Sequence, residues 1–405
     1  MDILEAKLAV IKAGKMLVEN GLIQRTWGNV SCRIDDNHFV ITPSGKGYLT
    51  LTPEDIVIVT VNDLSYDGDV KPSSEKGIHA QCYALRPDVN FVIHTHQTYA
   101  SIVGLSGLDI NNITGKSAEI IGNDVPIAAY GLPGTGKLKK GVVAALKRSD
   151  SKAVLMIHHG ALCVGSDLDD AFTVANELEE VSKAALLERY RELTGKTVDS
   201  FNSLSEYVAN NLMTATSTVE YDAYNSTREY GAIKMTPVNG GDSVMIDLAS
   251  GEPVDKTADC PETAVLHSAI YKKREDVNAV IHTKEEDTLS VSKIGKTIRP
   301  FLDDFAQIAG ITVKTVEYSP NNTLKSAKAV TKALKSRDAV LLKNNGAVCV
   351  GANEDEANAV KLVTEKGCKA AVAANIYGTD NKPINLIESA LMRIVYKTKY
   401  SKKSK

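Results

Sequence analysis

Residues 88–96, Asp-Val-Asn-Phe-Val-Ile-His-Thr-His, return at 276–284 as Asp-Val-Asn-Ala-Val-Ile-His-Thr-Lys. A chain that repeats itself in this way is two copies of one folding unit, and no other feature constrains the fold as much. The order of elements repeats too. In the first copy a helical stretch around 78–86 leads through Arg86-Pro87-Asp88 to the apolar strand Phe91-Val92-Ile93. In the second, Leu266 and Tyr271 lead through Arg274-Glu275-Asp276 to Ala279-Val280-Ile281. A helix over 142–147 and a buried strand at 153–157 follow, matched by 330–335 and 339–342. Each copy then turns through Gly160 or Gly346 toward a long helix starting near Asp167 or Glu354. Short strands between helices predict α/β layered domains. At 405 residues, two domains of about 200 residues each are expected. The polar stretch around 195–225 carries the junction, giving domains 1–205 and 206–405. The second copy has no sequence equivalent of Thr26-Trp27-Gly28-Asn29-Val30-Ser31, so its opening is expected to be shortened or remodelled.

Charge narrows the partners. A formal charge of −3, with 43% hydrophobic and 24% charged residues, is ordinary for a globular protein and leaves no general basic field, so nucleic acid is not an expected partner. The basic end from Lys397 to Lys405 reads as a solvated tail. Between Met1 and Gly21, Asp2, Glu5, Lys7 and Lys12 interrupt the apolar residues, which predicts an amphipathic helix rather than a signal peptide or membrane span. The six cysteines show no CxxC spacing and read as buried free thiols of a reducing compartment. A cytoplasmic protein with no membrane partner is the expectation.

The candidate chemistry lies in the first copy. Side chains at i and i+2 of a strand share a face, so His94 and His96 can offer two imidazoles to one metal ion. His158-His159-Gly160 ends another apolar strand, and either imidazole is a candidate third ligand. Glu75 starts the helix that leads to the His-X-His strand. Three histidines with an open fourth position suit catalytic Zn²⁺. A lone His-X-His is weak evidence; the second copy strengthens it. There His94 is matched by His282, His96 by Lys284, Glu75 by Thr263, and His158-His159 by Asn344-Asn345. An ammonium group repels a metal, so the second copy is expected to bind none.

A second group of residues suits an anion. Gly28-Asn29 and Thr42-Pro43-Ser44-Gly45 are turn sequences able to expose successive backbone N–H groups. Ser73 and Ser74 can cap a helix N-terminus. Each is by itself equally an ordinary turn or cap. The segment Gly131-Leu132-Pro133-Gly134-Thr135-Gly136-Lys137 matches G-x-x-x-x-G-K, but Leu138 stands where a nucleotide loop needs Ser or Thr for Mg²⁺. It reads as a helix start capped by Thr135.

These residues together resemble the class II aldolase/adducin family, which includes zinc-dependent L-fuculose-phosphate and L-rhamnulose-phosphate aldolases and L-ribulose-5-phosphate 4-epimerase. The resemblance rests on Gly28-Asn29-Val30-Ser31, Ile41-Thr42-Pro43-Ser44-Gly45, Leu51-Thr52-Pro53-Glu54-Asp55, Lys71-Pro72-Ser73-Ser74-Glu75, His94-Thr95-His96, and His159-Gly160 followed by Gly165. It covers about residues 1–190, with the later half as a diverged second copy. It implies a three-layer α/β/α fold with a central, mainly antiparallel sheet, in two tandem copies. It also implies metal ligands His94, His96 and His159, a substrate phosphate on Asn29, Ser44, Gly45, Ser73 and Ser74, and Glu75 as acid/base. The implied activity is that of a Zn²⁺-dependent aldolase (another divalent metal being possible) acting on a small phosphorylated sugar through a metal-neutralised enediolate. Epimerase, decarboxylase or dehydratase chemistry, and a non-catalytic adducin-like module, are the alternatives within the family. The family's aldolases use a tyrosine in a segment corresponding to 111–119, and Asn-Asn-Ile-Thr-Gly-Lys-Ser-Ala-Glu contains none. Family sites lie between subunits of a four-fold ring, so a homodimer forming a pseudo-tetramer is expected.

Overall fold

The computed structural model describes residues 1–23, 26–195, 221–319, 323–378 and 382–400. The chain divides into two compact units, one over 1–197 and one over 198–396. The junction placed at 195–225 lies, apart from its first and last few residues, outside the described residues.

The first unit is built on a seven-stranded sheet. Its strands are β1 (Asn29–Arg33), β2 (His38–Ile41), β3 (Val57–Thr60), β4 (Phe91–Thr95), β5 (Ile127–Ala128), β6 (Ala153–Met156) and β7 (Ala161–Gly165), in the order β3-β2-β1-β4-β7-β6-β5. Every neighbouring pair is antiparallel except β5 with β6. The helices are α1 (Ile3–Glu19), α2 (Lys76–Leu85), α3 (Thr98–Val103), α4 (Gly115–Ile121), α5 (Gly136–Arg148) and α6 (Leu168–Thr194). On one face, Val92, Val154, Met156, Leu162 and Val164 meet Ile78, Cys82 and Tyr83 of α2 and Leu138, Val142 and Leu146 of α5. On the other, α1 covers β1 and α6 covers β4 and β7. A strand covered on both faces needs no polar alternation, and β4, β6 and β7 are buried throughout.

The second unit repeats this plan. Its strands are β8 (Tyr224–Glu229), β9 (Ala232–Pro237), β10 (Val244–Asp247), β11 (Ala279–Thr283), β12 (Thr315–Val316), β13 (Ala339–Leu342) and β14 (Ala347–Gly351), ordered β10-β9-β8-β11-β14-β13-β12. Only β12 with β13 is parallel. The described helices are α7 (Ala264–Lys273), α8 (Glu286–Lys293), α9 (Asp303–Ile308), α10 (Thr323–Ala333), α11 (Glu354–Tyr377) and α12 (Leu386–Val395). Both units are α/β layers around a mainly antiparallel sheet, as the repeat and the resemblance implied.

Matching caps start the long helices. The Asp167 carboxylate accepts from the N–H of Asp170, and the Asn353 side chain accepts from Glu356. Thr135 accepts from the N–H of Leu138 at the start of α5, the capping role expected of it. One expectation is made specific and one needs correction. The opening of the second copy is remodelled but keeps its strand: β8 takes the place of β1, with Ser226 opposite Val280 as Ser31 is opposite Val92. Asn29 is thereby matched by Tyr224; the motif was hidden because only Ser and Arg persist. Cys260 is exposed, whereas the other five thiols are buried.

Candidate metal centre of the first copy

Three neighbouring strands and one helix start converge at one end of the first sheet. β4 delivers His94 and runs into His96, and the turn between β6 and β7 delivers His159. This turn is tight: the N–H of Met156 donates to Gly160 (2.8 Å) and that of His159 to Met156 (3.1 Å). It forces His158 to φ +63°. Gly160 is needed because a Cβ there would collide with the carbonyl oxygen of Thr95. The turn separates two adjacent histidines. His159 is buried and faces the site, while the ring of His158 lies edge-on to Tyr130, with centroids 5.1 Å apart.

The three imidazoles His94, His96 and His159 have candidate ligand atoms within 4.8 Å of one another. Nε2 of His94 and Nε2 of His96 are 3.1 Å apart. Glu75 closes the group, with one carboxylate oxygen 3.1 Å from His159 Nε2 and the other 3.3 Å from His94 Nε2. Two nitrogens so close repel unless a proton or a cation lies between them. His94 Nδ1 is 2.8 Å from the carbonyl oxygen of Ala161, an acceptor only, so Nδ1 carries the proton and Nε2 presents its lone pair. Tetrahedral coordination at about 2.0–2.1 Å would separate ligand nitrogens by about 3.3 Å. The donor set and its spacing therefore fit one divalent cation. Burial raises the Glu75 carboxyl, but His159 and His94 when protonated, with the hydrogen bonds from His159 and Asn29, outweigh it and hold the group well below the usual carboxylate range.

Behind the carboxylate runs a hydrogen-bond chain that the sequence reading missed. The Asn29 amide nitrogen donates to Glu75 Oε2 (3.1 Å), so its oxygen faces His79 Nε2, with which it is in close contact. His79 Nε2 must then carry the ring proton. Burial pushes this imidazole down to about 3, so it is neutral, and its Nδ1 accepts from Ser31 Oγ at 2.6 Å. Ser31 in turn accepts from the Tyr83 hydroxyl at 2.6 Å. All are buried. The repeat offered a signal, since His79 and Tyr83 recur as His267 and Tyr271 at the offset that relates His94 to His282.

The anion candidates are also gathered. The Ser44 N–H donates to Lys71 O (2.9 Å) and the Ser73 N–H to Thr42 O (3.1 Å), which lays 42–45 against 71–75. Gly45 has φ +77°, Ser44 is half-buried and Ser74 exposed, and Ser73 is buried with its Oγ accepting from the Glu75 N–H. Gly134, from the nucleotide-loop look-alike, abuts Ser74. Ser74, Lys76, Thr135 and Lys139 line one cleft. The Asn29 amide is engaged with Glu75 and His79 rather than turned toward this cleft.

The matching end of the second sheet is different. The ring of His282 is turned over, its Nε2 donating to the carbonyl of Asn345 (2.6 Å). Lys284 reaches the carbonyl of Tyr221. Ser226, His267 and Tyr271 persist as a trio, but Tyr224 and Thr263 stand where Asn29 and Glu75 would complete it. Among the described residues, His94, His96 and His159 are the one group of three such side chains placed to hold a metal.

A family model described as Class II Aldolase and Adducin N-terminal domain matches residues 8–186 and again 228–372. The chain belongs to this family, with both copies members of it. It is 36% identical over 174 residues to a 5-methylthioribulose-1-phosphate/5-deoxyribulose-1-phosphate aldolase of Rhodospirillum rubrum, covering 43% of this chain and 77% of that protein. It is 37% identical over 166 residues to the L-fuculose phosphate aldolase of Escherichia coli K12, covering 41% and 75%. A solved L-fuculose 1-phosphate aldolase, 31% identical, aligns over 48% of this chain and 89% of its own, with a TM-score of 0.44. No described helix is long and apolar enough to cross a membrane.

Proposed function

We propose that the first copy, residues 1–205, is a divalent-metal-dependent aldolase acting on a small sugar phosphate, with Zn²⁺ as the metal. The observation that carries this reading is the meeting of three imidazoles and one carboxylate at a single point. His94, His96 and His159 would hold the ion. When bound, it supplies Lewis-acid polarisation of a substrate oxygen and offsets the negative charge that develops beside it. Ser44, Gly45, Ser73 and Ser74 bind the phosphate through the serine hydroxyls and the N–H groups of Gly45 and Ser74, and Asn29 holds Glu75 beside it. In the cleavage direction the hydroxyl that becomes the aldehyde carbonyl gives up its proton, the C–C electron pair stays with the ketose-derived fragment, and Glu75, ionised at the start, carries that proton to the fragment's carbon. In the synthetic direction the same carboxylate removes it. The Asn29 amide fixes the carboxylate between His94 and His159 for both transfers. The relatives' activities support aldol chemistry; decarboxylation, dehydration or 4-epimerisation would use the same residues.

In this reading the second copy, 206–405, has given up catalysis, and two chains in the cytoplasm assemble a pseudo-tetramer. Elemental analysis of the purified chain tests the proposal: about one Zn²⁺ per chain, removed by His94→Ala or His96→Ala, is expected. Metal-free, fully assembled protein would favour the adducin-like alternative. Light scattering that returns an active monomer would overturn the assembly.

A further inference from the structure

A cleft of about 130 Å³ lies between the starts of α2 and α5, with Ser74, Glu75, Lys76, Thr135, Gly136 and Lys139 on its walls. Sites that take whole cofactors measure roughly 300–1,000 Å³, so this one suits a small group. Lys76 and Lys139 are both half-buried in it, and among the described residues neither forms an ion pair with a carboxylate. The carboxylate nearest at hand, that of Glu75, is turned to His94 and His159. Lys76 has its ammonium over the Tyr66 ring, 5.5 Å from the centroid, a weaker contact than an anion would give.

Lys139 is laid against α2. A Cβ on Gly77 would stand 3.3 Å from its Cδ and 3.9 Å from its Nζ, so the ammonium lies along the first turn of that helix. First turns carry partial positive charge, which favours acids there and disfavours lysines. Yet neither α2 nor α5 has an acid in its first turn. Positive charge is gathered where helix electrostatics alone would exclude it, and an anion in the cleft offsets that.

The second copy lacks every one of these features. In the alignment that pairs Glu75 with Thr263, Ser74 is matched by Glu262, Lys76 by Ala264, Gly77 by Val265 and Lys139 by Ala327. The last two changes compensate each other in volume. In the first copy a glycine on α2 leaves room for a long side chain from α5; in the second the larger residue is on the α2 equivalent and the smaller one opposite. The lysines thus stand in the copy that has the three histidines and are missing from the copy that does not.

The candidate phosphate ligands Ser44, Gly45, Ser73 and Ser74 are all uncharged, and Ser74 alone among them lines this cleft. A phosphate ester carries about −1.5 to −2 charges at neutral pH, which uncharged donors leave uncompensated. We propose that Lys139, with Lys76 beside it, holds the substrate's phosphate against Ser74 and makes the site select phosphorylated over free sugars. The aldolase reading of the first copy supplies the identity of the substrate; binding of the anion does not depend on it.

Titration calorimetry of the full chain with inorganic phosphate reads the anion apart from turnover, and a His94→Ala/His96→Ala background removes any metal that could take it. Phosphate should bind in both. Lys139→Met, which keeps the stem and removes the charge, should weaken binding at least about tenfold, and Lys139→Arg should largely retain it. Gly77→Val should act like Lys139→Met by displacing the stem. Circular dichroism checks that each variant folds. With L-fuculose 1-phosphate and 5-deoxy-D-ribulose 1-phosphate as probes of turnover, Lys139→Met should raise KM at least about tenfold and change kcat less than about threefold. No phosphate binding at about 10 mM, binding that ignores Lys139→Met, or a loss confined to kcat overturns the proposal. Lys139-dependent phosphate binding without turnover of either ester supports the anion site and counts against the reaction assigned to the first copy.

Discussion

The same seven-strand order carries two different ends. In the first copy the end of β4 and the β6–β7 turn present imidazoles to one another and to Glu75. In the second, β11 and the β13–β14 turn present His282, Asn344 and Asn345, with Lys284 beside them. The turns are alike at their first residue and differ at their glycine. His158 and Asn344 share φ +63°, and a Cβ on Gly160 or Gly346 would meet the carbonyl of the neighbouring strand, Thr95 or Thr283, but only Gly346 has a positive φ, +73°. The turn's position is therefore a property of the fold, while the candidate metal centre belongs to the first copy's side chains and turn geometry together. Even the buried trio of Tyr, Ser and His belongs to the fold, since Tyr83-Ser31-His79 and Tyr271-Ser226-His267 occur in both. Its extension through Asn29 to Glu75 occurs only in the first.

The contrast can be broken most severely at the ligands. His159→Ala should abolish metal retention and turnover together, with loss of metal affinity exceeding the hundredfold upper range, about, of changes behind the ligands. His158→Ala, one residue away, should leave the metal content measured by elemental analysis unchanged. Next in size, Glu75→Gln should lower turnover by about 10²–10⁴-fold while the metal stays bound, separating proton transfer from ligation. Unchanged turnover would refute the role given to Glu75.

A reversal tests the comparison from the other side. Thr263→Glu, Lys284→His and Asn345→His together should raise the metal content from about one to about two per chain, if side chains alone separate the copies. A stoichiometry fixed at one would mean the second backbone differs where it matters.

Acid provides a smaller probe shared by both copies. Burial pushes His79 and His267 down to about 3, so in the folded chain each stays neutral well below 6.5, where the unfolded chain takes up its proton. The unfolded state then holds more protons, so stability is full above pH 6.5 and falls as pH drops toward 3, by at most about 5 kcal/mol per histidine. Urea unfolding across pH 7 to 4 should show this slope, and His267→Gln should flatten it. Smallest of all, Ser226→Ala should cost about 1–2 kcal/mol, by leaving His267 and Tyr271 short of a partner.

Much of this was legible from the residues alone. Periodicity and the repeat gave two α/β units because apolar runs and their spacing are local properties. The change of His96 to Lys284 and of His159 to Asn345 marks, in the residues alone, which copy has lost its histidines. The equivalence of β8 with β1 was not legible, because pairing across a sheet is fixed by neighbours distant in sequence while only Ser226 and Arg228 carry the match. Nor was the chain from Tyr83 to Glu75, whose members are 46 to 52 residues apart across its cross-strand contacts. Asn29 looked like a turn residue; that its amide meets Glu75 and His79 was visible only once the sheet and helix start were brought together.

Sequence by itself determined that this protein is a doubled unit, which histidines are available, and which copy has kept them. It left open whether His158 or His159 faces inward, since adjacent residues differ only in the dihedral angles of a turn. The tertiary structure decided that, and decided that His79 and Asn29 stand behind Glu75. Burial and convergence depend on how strands and a helix start are brought side by side, a relation that no single segment of chain encodes.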